Sequence, residues 1–322
     1  MALESRPPRV AIVVLNWNGW RDTLRCLESL ARLEYPCVEV LVVDNGSSDG
    51  SADMLRQQCP GVELLELDTN RGFAGGMNWG IRRALDRGAD FVLLLNNDTL
   101  VAPDLLTRLV TVARTHPRAG LFGCELRFPA MPNQPAPVIT GVDWLRGFVR
   151  MARLTPGDAS PLPAEVVSGE AVLARREVVA RVGPLDERYF LYFEDLDWAL
   201  RARRAGFGCL IVPGAVVWHR AGASTRGEPL APRPTFYYYH TRNNVLFVRA
   251  HGPRLARLTF IPFWLGRTAW TALRVLGGGL IARKANVRPR LHALAAGLVD
   301  GWLGRSGARC TFGGVSSHAH RA

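Results

Sequence analysis

The chain has 322 residues, 48% of them hydrophobic, enough for one large domain and an appendage. Its net charge of +12 is unevenly placed: from Arg233 onward 14 Lys and Arg face the single acid Asp300, and the preceding residues are close to neutral. The six cysteines (Cys26, Cys37, Cys59, Cys124, Cys209 and Cys310) form no C-x-x-C pair, which excludes a zinc ribbon or a disulfide framework and leaves small buried hydrophobes in a reducing compartment.

The first 125 residues alternate short apolar runs with helix-length amphipathic stretches. Val10–Leu15, Val38–Val43, Val62–Leu67 and Phe91–Leu95 are rich in Val, Ile and Leu, as strands covered on both faces should be. The run Ala11–Leu15 is too short for a signal peptide, so a cytoplasmic location is expected. Helical patterns lie near 20–32, 49–58, 74–87 and 103–115. Ser48 or Asp49 is expected to cap the second of these, and Pro103 to occupy the first turn of the fourth. Such alternation predicts an α/β fold with a mostly parallel sheet, whose ligands bind beyond the carboxyl ends of the strands.

Residues 126–164 carry Pro129, Pro132, Pro135, Pro137, Pro156, Pro161 and Pro163, and are expected as a loop-rich insertion beside the acceptor site. Regular structure resumes at Val166, with a helix from near Glu194 and a strand at Cys209–Val212. Beyond Pro234 the pattern is helical and aromatic.

Polar residues stand at the expected strand ends. The first strand runs into Asn16-Trp17-Asn18 and the second into Asp44-Asn45-Gly46-Ser47-Ser48-Asp49-Gly50. These amides and carboxylates can hold a nucleobase and ribose, or simply form turns. In Asn70-Arg71-Gly72-Phe73-Ala74-Gly75-Gly76-Met77-Asn78, glycines, a helix start and Arg71 suit a phosphate. The spacing is neither G-x-G-x-x-G nor a P-loop, since the one lysine is the distant Lys284. The fourth strand ends in Asn96-Asn97-Asp98, where Asp98 can hold a hard cation with His219 as a second ligand. Glu194, Asp195 and Asp197 open a helix directly after the apolar Tyr189-Phe190-Leu191-Tyr192-Phe193. The helix dipole favours acids there, and the apolar wall raises a carboxyl pKa towards that of a general base.

In this order the motifs resemble the inverting glycosyltransferase family 2, with the nucleotide-sugar GT-A fold, and within it the bacterial rhamnosyltransferase-type branch. The strings are "VVLNWNG", "VVDNGSSDGS", "NRGFAGGMNWG", "LLLNNDT", "VSGEAVLARREVVARVGPLDERYFLYFEDLDWALRARRAG" and "VWHRAGAS", continued by "FYYYHTRNNVLFVRAH". The resemblance implies that Asp44 contacts the base and that Asn16 and Asn45 line the nucleotide pocket. Arg71, Gly75, Asn78 and Asn97 belong to the donor site, and Gly169 and Glu170 to the place where acceptor and donor sugar are held. Asp98 and His219 are implied ligands of Mg2+ or Mn2+, although Asn96 and Asn97 stand where the family's metal motif has acids. Asp195 is the implied base, with Glu194 and Asp197 in support, and the implied reaction is an in-line displacement with inversion. The donor is expected to be dTDP-rhamnose, with UDP-sugars next, and the acceptor a saccharide or a lipid-linked saccharide of a cell-envelope polysaccharide. A non-catalytic nucleotide-sugar-binding protein of the same fold and a nucleotidyltransferase are the rival readings.

The division expected is a catalytic domain over residues 1–232 and a basic helical region over 233–322. In the latter, Leu258, Leu265, Ala269, Ala272 and Leu276 share one helical face opposite Arg267 and Arg274, with Phe263, Trp264 and Trp270 as interfacial aromatics and Pro262 as a kink. A helix lying on an anionic membrane surface, on the inner face of the plasma membrane, is expected. Packing on the catalytic domain is the alternative. No nucleic-acid recognition motif accompanies the charge.

Overall fold

The computed structural model describes residues 6–146, 148–155, 157, 159–220, 233–282 and 287–309. The expected division at residue 232, the end of the string "VWHRAGAS", Lys284 and Cys310 lie outside the described residues.

The apolar runs form β1 (Val10–Asn16), β2 (Val38–Asp44), β3 (Glu63–Glu66) and β4 (Phe91–Asn96). They pair in parallel in the order β3-β2-β1-β4, with Val13 in register with both Leu41 and Leu94. Between them run α1 (Trp20–Leu30), α2 (Ser51–Gln58) and α3 (Gly72–Asp86). The glycines of α3 serve packing: a Cβ on Gly80 would overlap the Val13 side chain, and one on Gly76 the side chain of Leu15. The helix therefore lies flush on β1.

Next come β5 (Thr99–Val101), α4 (Leu105–Thr115) and β6 (Ala119–Phe128). The α2 cap is Gly50 in the left-handed region rather than Ser48 or Asp49, and Asp49 instead accepts from the amide and hydroxyl of Ser51 at 3.0 and 2.5 Å. Asp104 is the residue before α4, so Pro103 sits in the preceding turn and not inside the helix.

Residues 126–164 depart from expectation. They form β7 (Met131–Pro135), β8 (Val138–Asp143), β9 (Phe148–Ala152) and β10 (Leu162–Ala164), not a loop. Pro132, Pro135 and Pro163 fit because β7 and β10 lie at sheet margins, where missing N–H groups cost no ladder bond. β8 and β9 make a separate hairpin. β11 (Ala171–Arg175) leads to the short α5 (Arg176–Val182), then to α6 (Glu194–Arg204) and β12 (Gly208–His219). The ten-stranded sheet runs β10-β12-β6-β11-β4-β1-β2-β3, with β5 paired to β12 and β7 to β6 off this path. β11 is antiparallel to both neighbours, whereas β12 and β6 are parallel. β12 is far longer than the expected Cys209–Val212. A register shift between Val212 and Val216, with Gly214 at φ +78°, lets it continue and pair with β5.

α7 (Pro234–His251), α8 (Arg254–Ala282) and α9 (Val287–Leu303) follow. α8 runs through Pro262 without a break in its helical span. Its wheel is oriented by packing: Ala256, Phe260 and Trp264 are buried, so Trp264 is not an interfacial aromatic. Arg267, expected opposite the leucine face, turns inward with them, towards His240 and Phe247. The face of Leu258, Leu265 and Leu276 points outward, as do Leu255, Trp270 and Leu273. No helix among the described residues is long and apolar enough to cross a membrane. The five described cysteines are free, and burial pushes the thiols of Cys26, Cys124 and Cys209 up to about 12.

Candidate active site

A cavity of about 550 Å³ opens past the carboxyl ends of β1, β2 and β4. Its wall is assembled from distant segments: Leu15 and Trp17, Asn45, residues 70, 72 and 73, Asn96 to Asp98, residues 168–170, residues 190–196, His219, Arg233, and Thr235, Phe236 and His240 of α7. Ile139 and Val149 of the β8–β9 hairpin complete it.

The turn chemistry of the first strand ends is internal. Asn16 is fully buried, donates to Asp44 at 2.6 Å and accepts from the Thr23 hydroxyl at 2.7 Å. Asp44 accepts again from the amide and hydroxyl of Ser47 at 3.0 and 2.7 Å. Both side chains stand behind the cavity wall. Asn45 lines the cavity while its amide ties the chain at 70–72, accepting from Arg71 N at 2.9 Å and donating to the Gly72 carbonyl at 3.0 Å. Asn78, at 1% exposure, bridges to Leu185 N and O at 3.0 and 2.9 Å and to Glu187 at 2.9 Å. Gly75 packs beside it, against the Arg71 Cβ and Glu187. Arg71 is exposed at the start of α3, with its guanidinium over Trp79.

Gly72, at φ +73°, faces the loop before α6; a Cβ there would overlap the Phe190 carbonyl oxygen. The same oxygen accepts from Phe73 N at 2.6 Å. Phe190, Tyr192 and Phe193 all adopt left-handed φ values of 64°, 70° and 74°, which side chains with a Cβ disfavour. This strained turn aims the first residues of α6 into the cavity.

Asp195 is partly accessible from the cavity. Its Oδ2 accepts from Gly169 N at 2.7 Å and its Oδ1 from Leu196 N at 2.8 Å. A Cβ on Gly169 would lie 3.0 Å from that of Asp195, so glycine permits the approach. Burial and then the Glu170 charge push the Asp195 carboxyl up to about 6, against the two amide hydrogen bonds. Ser168 hydrogen-bonds Glu170 from the same segment. Glu194 is buried at 5% exposure with its Oε2 unpartnered, and burial and then the Asp195 charge raise its carboxyl well above the usual range. Asp197 behaves oppositely. Burial works against its charge, but the hydrogen bond from His251 and the Arg201 guanidinium prevail and hold it below the ordinary value. It lies 2.6 Å from His251 Nε2 and 2.7 Å from Arg201 Nε, turned away from the cavity.

Asp98 and His219 meet at 3.1 Å, at 7% and 13% side-chain exposure. The antiparallel pairing of His219 with Thr99 brings the tip of β12 to the end of β4. Among the described residues no group of three or more His, Cys, Asp and Glu converges on a cation position. One carboxylate and one imidazole suit a hard cation that draws its other ligands from a diphosphate and water. Asn97 lines the cavity and donates to the Thr23 hydroxyl at 3.0 Å, whereas the buried Asn96 Oδ1 has no partner. His240, on the opposite wall, is pushed down to about 4 by burial and then by the Arg267 charge. The resemblance assigned no role to Ile139, Phe236 or His240; only the aromatic run of α7 signalled part of that wall.

Solved structures place this architecture. A mannosyltransferase from Pyrobaculum calidifontis, solved with GDP-Man and Mn2+, superposes with a TM-score of 0.58 over 94% of this chain and 89% of that one, at 18% identity. TarS of S. aureus, residues 1–349, superposes at 0.54 over 91% and 80%, at 15% identity. The fold is that of the GT-A glycosyltransferases. The family model "Glycosyltransferase like family 2" matches residues 7–231. An N-acetylglucosaminyl-diphospho-decaprenol L-rhamnosyltransferase of Mycobacterium tuberculosis is 33% identical over 242 residues, covering 68% of this chain and 78% of that protein. A dTDP-rhamnosyl transferase of Shigella flexneri is 25% identical over 264 residues, covering 80% and 86%. The chain belongs to glycosyltransferase family 2, is a transferase, and resembles its rhamnosyltransferases.

Proposed function

We propose that this chain moves an L-rhamnosyl group from dTDP-rhamnose to a saccharide on a lipid-linked carrier, with inversion, during cell-envelope polysaccharide synthesis. The observation that carries the reading is Asp195. A carboxylate that ionises near pH 6 is held by two N–H donors on the wall of the cavity that also holds the Asp98–His219 pair. The donor and acceptor classes rest on what the similar rhamnosyltransferases are named for.

In this reading the donor's nucleotide lies past the ends of β1 and β2, against Asn45 and Asn97. Asn16, Asp44, Gly75 and Asn78 keep that wall rigid from behind. Arg71, next to Asn70 and Gly72 of the wall, adds charge towards the diphosphate. Mg2+ or Mn2+ held by Asp98 and His219 would neutralise the charge of the departing diphosphate. Asp195 Oδ2 takes the proton of the acceptor hydroxyl as its oxygen bonds to the anomeric carbon. The bond from that carbon to the diphosphate oxygen breaks on the opposite face, which inverts the centre. Glu170 and Gly169 adjoin Asp195 and face the two sugars, while Asp197, tied to His251 and Arg201, anchors the first turn of α6. The basic C-terminal helices meet an anionic membrane surface that carries the acceptor.

The test is release of nucleoside diphosphate by the purified protein from a panel of dTDP-, UDP- and GDP-sugars, with and without Mn2+, beside Asp195→Asn. The expected result is metal-dependent turnover of dTDP-rhamnose, reduced on the order of 10²–10⁴-fold in the variant. Turnover of every donor at the wild-type rate by Asp195→Asn removes Asp195 as the base. Consumption of a different donor alone overturns the rhamnose assignment.

A further inference from the structure

Three of the four residues from Phe190 to Phe193 have positive φ without being glycine, and such a run persists only where its surroundings over-determine it. Those surroundings come from α7. The Asn243 amide nitrogen, on a side chain with no exposure, lies 2.9, 2.8 and 2.9 Å from the carbonyl oxygens of Tyr189, Leu191 and Tyr192. Arg242, at 1% exposure, donates to the carbonyls of Arg188 and Tyr189 at 3.2 and 2.7 Å, and its Nε to the Asn243 side-chain oxygen at 2.8 Å. With Phe73 N on the Phe190 oxygen, every carbonyl from Arg188 to Tyr192 is occupied. One helical stretch later, His251 reaches Asp197 in the first turn of α6 at 2.6 Å, both side chains at 3% exposure. The middle and the C-terminal end of one helix thus hold both sides of Glu194 and Asp195, and none of Arg242, Asn243 and His251 lines the cavity, which α7 reaches only through its first turns.

We propose that Asn243, Arg242 and His251 are positioning residues: α7 acts as a clamp that fixes the strained turn and the first turn of α6, and thereby the orientation of Asp195. The clamp rests on the reading of Asp195 as the base. It makes a helix beyond the strands of the sheet part of the reaction centre, although it contributes no reacting atom. An ordinary buried residue of α7, such as Val245 at 1% exposure and set against Gly301 of α9, supports the helix but carries no polar group to hold the carbonyls of the turn.

The experiment compares Asn243→Ser, which keeps one donor, with His251→Ala, His251→Gln and the packing control Val245→Ala. Each is measured well below its unfolding midpoint, with the donor the wild type consumes from the nucleotide-sugar panel and with amide hydrogen exchange of residues 189–198. Asn243→Ser and His251→Ala should lower kcat on the order of tenfold to a hundredfold while KM for the donor moves less than about threefold. His251→Gln, which restores an N–H towards Asp197, should recover most of the loss. Exchange at 189–198 should quicken in Asn243→Ser and His251→Ala, and stay at the wild-type rate in Val245→Ala. If kcat and local exchange in the clamp variants match those of Val245→Ala at equal loss of stability, α7 is structural only and the proposal fails. Asp195→Asn separates the two readings: full activity there counts against the base, while the exchange data still decide the clamp.

Discussion

Asp195 and Glu194 are neighbours in sequence with unequal surroundings, and the inequality has a pH signature. Two N–H groups stabilise the charged form of Asp195, whereas Glu194 Oε2 has no donor at all. With its carboxyl at about 6, Asp195 is mostly ionised at neutral pH, and kcat should rise with pH through about 6 and then level. Rate–pH profiles between pH 5 and 8 check this, and a flat profile would count against it. Stability should run the other way. A carboxyl whose folded value lies above its unfolded value of 4.5 contributes fully below that value and loses its contribution as pH rises through the folded one. Glu194→Gln removes that penalty and should raise stability at pH 8, with less gain at pH 4, as read by thermal unfolding at both. At this scale the sequence was informative about type but not about orientation. The acids after the aromatic run were visible as a charged helix start, yet nothing in "FEDLDW" separates Asp195, facing the cavity, from Asp197, facing His251. That difference depends on which way α6 rolls against α7, and thus on residues 54 positions away.

Among elements, α3 shows how a glycine-rich string can be read two ways. The string between Asn70 and Asn78 suggested backbone brought close to a ligand. Gly72 lines the cavity and also admits the carbonyl of Phe190, while Gly76 and, beyond the string, Gly80 bring the helix against β1. Gly72→Ala therefore adds a Cβ at a left-handed φ and against backbone. A loss of about 2–4 kcal/mol and a marked drop in donor turnover follow, since Phe190 and its neighbours line the cavity. Thermal unfolding and donor hydrolysis on the same sample measure both, and a neutral Gly72→Ala would show that the turn at Phe190 is free to shift. Strands β1, β2 and β4 were legible because short Val- and Leu-rich runs bounded by polar turns suit a doubly covered sheet, and β3 because its Leu pair continues the same alternation with helices. Strands β7 to β10 were hidden by prolines, which lower strand propensity without forbidding margins. The reach of β12 to His219 was hidden too, because the shift at Gly214 interrupts its period and its last pairing is with β5.

For the whole molecule, the outward face of α8 sets the expected behaviour at membranes. Leu255, Leu258, Leu265, Trp270, Leu273 and Leu276 are each at least 41% exposed, on a region rich in arginine. Co-sedimentation with vesicles should show binding that rises with anionic lipid content and weakens with salt. Leu258→Glu with Leu265→Glu should abolish it while leaving hydrolysis of a soluble donor at the wild-type rate. Binding that survives this double substitution would move the contact to another face. The wheel set Leu258, Leu265 and Leu276 on one face with Arg267 opposite, but took Trp264 as interfacial, because a wheel gives the angle between faces and not which one meets the neighbouring helices.

The cavity wall is drawn from residues as early as Leu15 and as late as His240. A ribosome adding about 5–20 residues each second therefore spends many seconds exposing a finished β1–β4 sheet with no far wall. During that interval the nascent chain has the strand ends that border the cavity but not Thr235, Phe236 and His240 of α7, which also line it. The cavity is therefore complete only after α7 has been made, and a half-made chain has no closed pocket.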